Sequence, residues 1–131
     1  MLSTEMLTVI RIEHPADGWG IFRINHSENL EGIKSNHIPE LTELYERHND
    51  KLKTPYEDGL NMSLRGHEWY CAYKGIEQIK RWITPEEFKT LYYNGYKILL
   101  LDVTNYQEGK DQVVYTKTSV ISMKDISELF I

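Results

Sequence analysis

The stretch TPEEFKTLYYNGYKILLLDV, Thr84 to Val103, constrains the fold more than any other part of the chain. Thr84 reads as an N-cap, because its hydroxyl can accept from an N–H that the first helical turn leaves open. Pro85 suits the first helical position, where a missing N–H costs nothing. Glu87, three residues after the cap, closes a capping box. Gly95 ends the helix in the left-handed conformation. The run that follows, Ile98 to Leu101, is apolar without alternation. Such a strand is expected where both faces of a sheet are covered, so it is predicted to be central. Leu99 and Leu101 fall on one face, Ile98 and Leu100 on the other.

The neighbouring segments extend this pattern. KGIEQIKRWI reads as a helix with Ile76, Ile79 and Ile83 along one face and Trp82 beside them in the core. Pro85 forbids its continuation into the next helix. EWYCAY reads as a strand with Trp69, Cys71 and Tyr73 on one side and Tyr70 and Ala72 on the other. Cys71 is expected to be a small buried hydrophobe there. Leu7 to Glu13 is the first strand, β-branched and alternating. Pro15 stops it, and Gly18 and Gly20 bracket Trp19 in a turn. IPELTELYERHND reads as a helix with Pro39 in its first turn and Leu41, Leu44, Tyr45 and His48 on one face. ERHNDKLK is its solvated end. The segment Asn25 to His37 reads as irregular. A turn-rich connection runs from Lys51 to His67, long for a domain of this size. NYQEGKD reads as the approach to a strand QVVYTK. SVISM reads as the last strand, with KDISELFI a short terminal strand or helix. The order gives a single α+β domain over residues 1–131, with a central mixed or antiparallel β-sheet and about three helices.

Charge and length limit the function. With 131 residues the chain can bury one substantial core. Its net charge is −5, and no Lys/Arg cluster is visible along the sequence, so a nucleic-acid role is disfavoured. The single cysteine precludes an internal disulfide and fits a reducing compartment. The first residues lack a basic segment followed by a long apolar run, and ILLL is far too short to span a bilayer. A soluble cytoplasmic protein, with no membrane partner, is the expectation.

The motifs of common chemistries are missing. His14, His26, His37, His48 and His67 form no metal-binding pair, so no metal is expected. GWG is too short to cradle phosphate, and there is no nucleophile elbow. What remains is positional. His14 ends the first strand before a Pro/Gly turn. Tyr70 and Tyr73 sit on a strand that leads into a helix, on opposite faces, so one of them at most can reach a given cleft. Gln112 opens a late strand, with Glu108 and Asp111 nearby. Trp19, on a loop, is a candidate ring-stacker.

That order of His14, Tyr70 or Tyr73, and Asp111 or Gln112, together with EQIKRWI…YKILLLDV, resembles the ADP-ribosyltransferase fold. The resemblance runs from about His14 to Val120 in order and spacing. It implies an NAD cofactor. His14 would bind its ribose, and Tyr70, Tyr73 or Trp19 would cover the nicotinamide. A late side chain would steady the cationic sugar as the glycosidic bond breaks. Gln112 stands where the family carries an acid in many members. Being neutral, it would serve poorly, and Asp111 or Glu108 could take its place. A second resemblance rests on EHPADGWGIFR, CAYKGIEQIKRWI and NGYKILLLDV. These are similar to small proteins of phages and prophages that pair a His-Pro-x-x-Gly-x-Gly segment with a Leu-Glu-Gln-Leu-x-x-Trp helix. It implies a phage origin and no particular activity.

Two functions follow as expectations. One is an ADP-ribosyltransferase-like phage protein that uses NAD to modify a host or defence protein. The other is a non-catalytic acidic phage protein that inhibits such a protein by docking into a basic groove. In the first, His14, a tyrosine and Asp111 or Gln112 must share one pocket. In the second they need not, and acidic side chains should gather on one face.

Overall fold

The computed structural model describes residues 5–15, 19–20, 41–51 and 57–131; the side chains of 19–20, 45 and 48–51 lie outside that description. The expected helix start at Pro39, the irregular stretch Asn25 to His37, the turn residue Gly18, and the side chains of Tyr45 and His48 lie outside it too.

Seven strands and three α-helices are present among the described residues. The strands are β1 (Leu7–His14), β2 (Trp19–Gly20), β3 (Tyr70–Ala72), β4 (Lys97–Val103), β5 (Tyr106–Glu108), β6 (Val113–Tyr115) and β7 (Val120–Asp125). The helices are α1 (Thr42–Lys51), α2 (Ile76–Trp82) and α3 (Pro85–Tyr93). The first sheet has the order β2-β1-β4-β7 and the second β3-β6-β5, and every pairing is antiparallel. Among the described residues one backbone bridge joins the sheets. In it the Ile10 N–H donates to the Tyr73 carbonyl at 2.9 Å and the Tyr73 N–H returns to Ile10 at 2.8 Å.

The central position of β4 follows from its side chains. Ile98 and the partly buried Leu100 face the helices, packing with Ile10, Ile12, Leu41, Leu44, Ile79, Ile83, Phe88 and Leu91. Leu99, Leu101 and Val103 face the second sheet, against Val9, Ala72, Val113 and Tyr115. Each such aliphatic side chain contributes about 1.5–3 kcal/mol when fully buried, which is why the strand cannot sit at an edge. A smaller cluster, Leu60, Trp69 and Val114, seals the outer side of the second sheet under the 57–69 connection.

The capping box is present as expected. The Thr84 hydroxyl accepts from the Glu87 N–H at 3.2 Å, and the Glu87 carboxylate accepts from the Thr84 N–H at 2.8 Å. Ile83 and Thr84 are both extended, so α2 and α3 are separate helices. Gly95 has φ 91°, the left-handed turn that re-aims the chain into β4.

Some expectations need correcting. Cys71 is exposed, not buried. β3 is the edge of a three-stranded sheet, and Ala72 is buried towards the intersheet core, so the alternating residue Cys71 points away from it. Ile76, expected on the buried face of α2, is the first residue of the helix and is 38% exposed, while Ile79, one turn on, is buried. NYQEG is not merely an approach. Its Tyr106–Glu108 is a strand hairpinned onto β6.

A cationic cleft between two helices and a hairpin

Helix α2 sets one wall of the candidate site. Its buried side carries Ile79 and Ile83. Gln78, Arg81 and Trp82 recur at spacings of three and four beside that stripe, so they share a flank of the helix, and Lys74 stands just before its Gly75 N-cap. With Arg47 from α1 and Lys110 and Asp111 from the β5–β6 turn, they line a cleft of about 400 Å³.

Each wall is held by identifiable bonds. Arg47 grips Glu87 with two N–H groups, at 2.9 and 3.2 Å, and also donates to the Trp82 carbonyl at the end of α2. Burial alone would push the Glu87 carboxyl up. The Arg47 guanidinium and the N–H and hydroxyl of Thr84 outweigh it and hold the group below the usual carboxylate range. Gln78 clamps the second wall. It accepts from the Lys74 N–H at 2.6 Å and donates to the Asp111 carbonyl.

The hairpin turn is shaped by a residue far away in sequence. The Asp58 carboxylate accepts from three successive backbone N–H groups, those of Lys110 at 3.1 Å, Asp111 at 3.0 Å and Gln112 at 3.1 Å. Consecutive N–H groups turned the same way form a nest that suits an anion, and here Asp58 fills it. The fit requires glycine at 109. A Cβ there would lie 2.7 Å from Asp58 Cγ and 3.0 Å from the Asp58 carbonyl oxygen.

The electrostatics of the cleft run against those of the chain. Four cationic side chains and one carboxylate line it, in a protein of net charge −5. Arg47 is neutralised by Glu87, and Lys74 lies 3.7 Å from Glu108. Arg81 and Lys110 are exposed and make no ion pair among the described residues.

Of the residues singled out from sequence, Asp111 reaches this cleft. Its neighbour Gln112 is buried, at 6% exposure, with its N–H bound to Asp58. Glu108 pairs with Lys74. His14 lies at the far end of β1. Because Glu13 pairs with Lys97, the His14 ring sits beside the Gly95 turn and edge-on to Tyr96, at 5.3 Å between centroids. It packs on that turn. It is four residues, roughly 13 Å of strand, from Ile10, where Tyr73 bridges. Tyr70 and Tyr73 do face opposite ways. Tyr70 packs on the intersheet cluster, with the Arg11 guanidinium 5.4 Å and the Lys117 ammonium 4.6 Å from its ring centre. Tyr73 packs on the helix-side cluster, and burial pushes its hydroxyl pKa far up. Trp19 pairs with His14 through the backbone, and its side chain lies outside the described residues.

Sequence reasoning missed Arg47, Lys74, Gln78, Arg81 and Lys110. The Lys74–Gln78–Arg81 spacing was the available signal, but the cations on the other walls come from distant segments.

Comparison with known families gives one result. Residues 3–128 match the family described as Bacteriophage T4 Y00F protein. The chain belongs to this phage protein family. The phage resemblance seen in EHPADGWGIFR and its companion segments thus has a concrete counterpart; the Y00F description names no transferase. No curated protein and no solved structure matches the chain. Among the described residues of this Y00F-family protein, no three His, Cys, Asp or Glu side chains gather as metal ligands. None of its described helices is long and apolar enough to cross a membrane.

Proposed function

We propose that this Y00F-family phage protein acts by binding rather than by catalysis, and that the cleft between α1, α2 and the β5–β6 turn takes an anionic group. The observation that carries this reading is the convergence on one cleft of Arg81 and Lys110, which make no ion pair among the described residues, beside the paired Arg47 and Lys74, in an acidic chain. Like charges held close repel one another, and an anion among them relieves that repulsion. The net charge suggested a protein that docks into a basic groove of a host or defence protein. At the cleft, Arg81 and Lys110 make no ion pair among the described residues, so the partner's contribution here is negative.

The NAD-transferase reading has one favourable observation, Asp111 on the cleft wall. That chemistry needs a ribose ligand, a nicotinamide cover and a carboxylate around one sugar. His14, Tyr70 and Asp111 belong to the Gly95 turn, the intersheet side and the cleft respectively. Binding without turnover is therefore the better-supported function.

The test is a titration with inorganic pyrophosphate and with a short polyglutamate peptide, followed by tryptophan emission at low ionic strength. A saturable response to at least one anion is expected, weakening as salt rises. It should disappear in the Arg81→Glu/Lys110→Glu double variant. A protein that responds to neither anion refutes the reading.

A further inference from the structure

We infer that the ligand of the cleft is a small phosphorylated molecule carrying a flat ring, of the nucleoside diphosphate class; this rests on the anion-binding reading above. Size comes first. A cleft of about 400 Å³ lies at the small end of the range of small-molecule sites. A polymeric phosphate would have to approach a molecule of net charge −5, and long-range repulsion opposes that far more than it opposes a small anion.

The two cleft cations that make no ion pair among the described residues stand on different walls, Arg81 on α2 and Lys110 on the hairpin turn. A lone carboxylate carries one negative charge and neutralises one of them. A diphosphate, with more charge and more oxygens, can engage both. The planar guanidinium offers paired donors that match phosphate oxygens, and the ammonium adds a point charge. The ring requirement comes from Trp82. Its half-buried side chain packs partly on the helix-side core yet still lines the cleft, next to Arg81. An indole on the wall of a cationic cleft gives a base a stacking surface. Asp111, the single carboxylate, would repel phosphate but can accept from a ribose hydroxyl or an exocyclic amine. The three features together describe a ligand with phosphate at one end and a hydrogen-bonding ring at the other.

The test compares ADP, inorganic pyrophosphate and adenosine by calorimetry on the intact chain, without divalent cations. ADP is expected to bind at least about tenfold more tightly than either fragment. Lys110→Glu, an exposed change outside the core, should weaken ADP about tenfold or more with an unaltered melting temperature. Trp82→Phe should keep more affinity for ADP than Trp82→Leu and leave pyrophosphate unaffected. If pyrophosphate binds as tightly as ADP, the nucleotide inference is overturned while the anion site stands. If adenosine binds as tightly as ADP, the phosphate assignment is overturned. If none of the three binds, the inference fails, and the polyglutamate titration then decides the broader reading separately.

Discussion

Substituting Gly109 with alanine probes the contact that shapes the cleft's hairpin wall. The added Cβ would lie 2.7 Å from Asp58 Cγ, so the carboxylate must retreat by most of an ångström. Its hydrogen bonds to the Lys110, Asp111 and Gln112 N–H groups are already 3.0–3.1 Å long, and such a retreat breaks at least one or two of them. A bond to a charged partner contributes about 1.5–3 kcal/mol, with the lower end fitting this partly exposed turn. Gly109 does not have a positive φ, so alanine regains about 0.4–1 kcal/mol by restricting the unfolded chain. The expected net cost is about 0.5–2.5 kcal/mol, or roughly 2–10 °C in melting temperature for a domain of this size. Urea denaturation of a double-mutant cycle with Asp58→Ala isolates the cause. Without the carboxylate, only the Asp58 carbonyl at 3.0 Å still crowds the new methyl, so Gly109→Ala should then cost less than about 1 kcal/mol. An equal cost in both backgrounds would refute the reasoning, because the clash would not involve the Asp58 side chain.

Other substitutions test the frame. Thr84→Ala removes the cap of α3 and should cost about 1 kcal/mol in chemical denaturation, with α3 fraying first in amide exchange. Glu87 has a folded pKa below its unfolded value of about 4.3, so its stabilisation is present above that pH and is lost as pH falls through the folded pKa. Melting curves from pH 6 to pH 3 should therefore fall less steeply in Glu87→Gln than in the parent, and equal slopes would remove Glu87 from the acid transition. Phe130, whose ring centre is 4.6 Å from that of Phe88, is buried one residue before the chain's last position. Phe130→Ala should cost about 3 kcal/mol; a loss under about 1 kcal/mol would show that the C-terminal segment does not belong to the core.

The parts of the fold legible in the sequence are those decided by near neighbours. Thr84, Pro85, Glu87 and Gly95 act within one helix, and the ILLL run reports its own two-sided burial. β5 was hidden because Tyr-Gln-Glu is short and polar and is held by its partner β6 rather than by an apolar face. Cys71 was misjudged because alternation reveals two faces but not which of them the core covers. The cleft was the least legible feature. Arg47, in ERHNDKLK, has the composition of a solvated helix end, and only the packing of α1 on α2 turns it towards Glu87 and Trp82. Residues 47, 74, 81 and 110 form no cluster along the chain; the topology makes one. His14 stands out in the sequence for a local reason, a strand end before a Pro/Gly turn. The antiparallel pairing with β4 places another turn, Gly95–Tyr96, against it.

The reciprocal bridge between Ile10 and Tyr73 divides the molecule by opening energy. Those two amides are released only when the apolar layers on both sides of β1 come apart, so their hydrogens should exchange through global unfolding. Strand β5, a half-exposed edge of three residues, can shed its pairing with β6 while that core stays intact, and its hydrogens should exchange far sooner. The cleft spans this divide, with α2 on the slow side and the β5–β6 turn on the fast side. A molecule bound across it would slow exchange in the hairpin and leave the Ile10 and Tyr73 amides as they were.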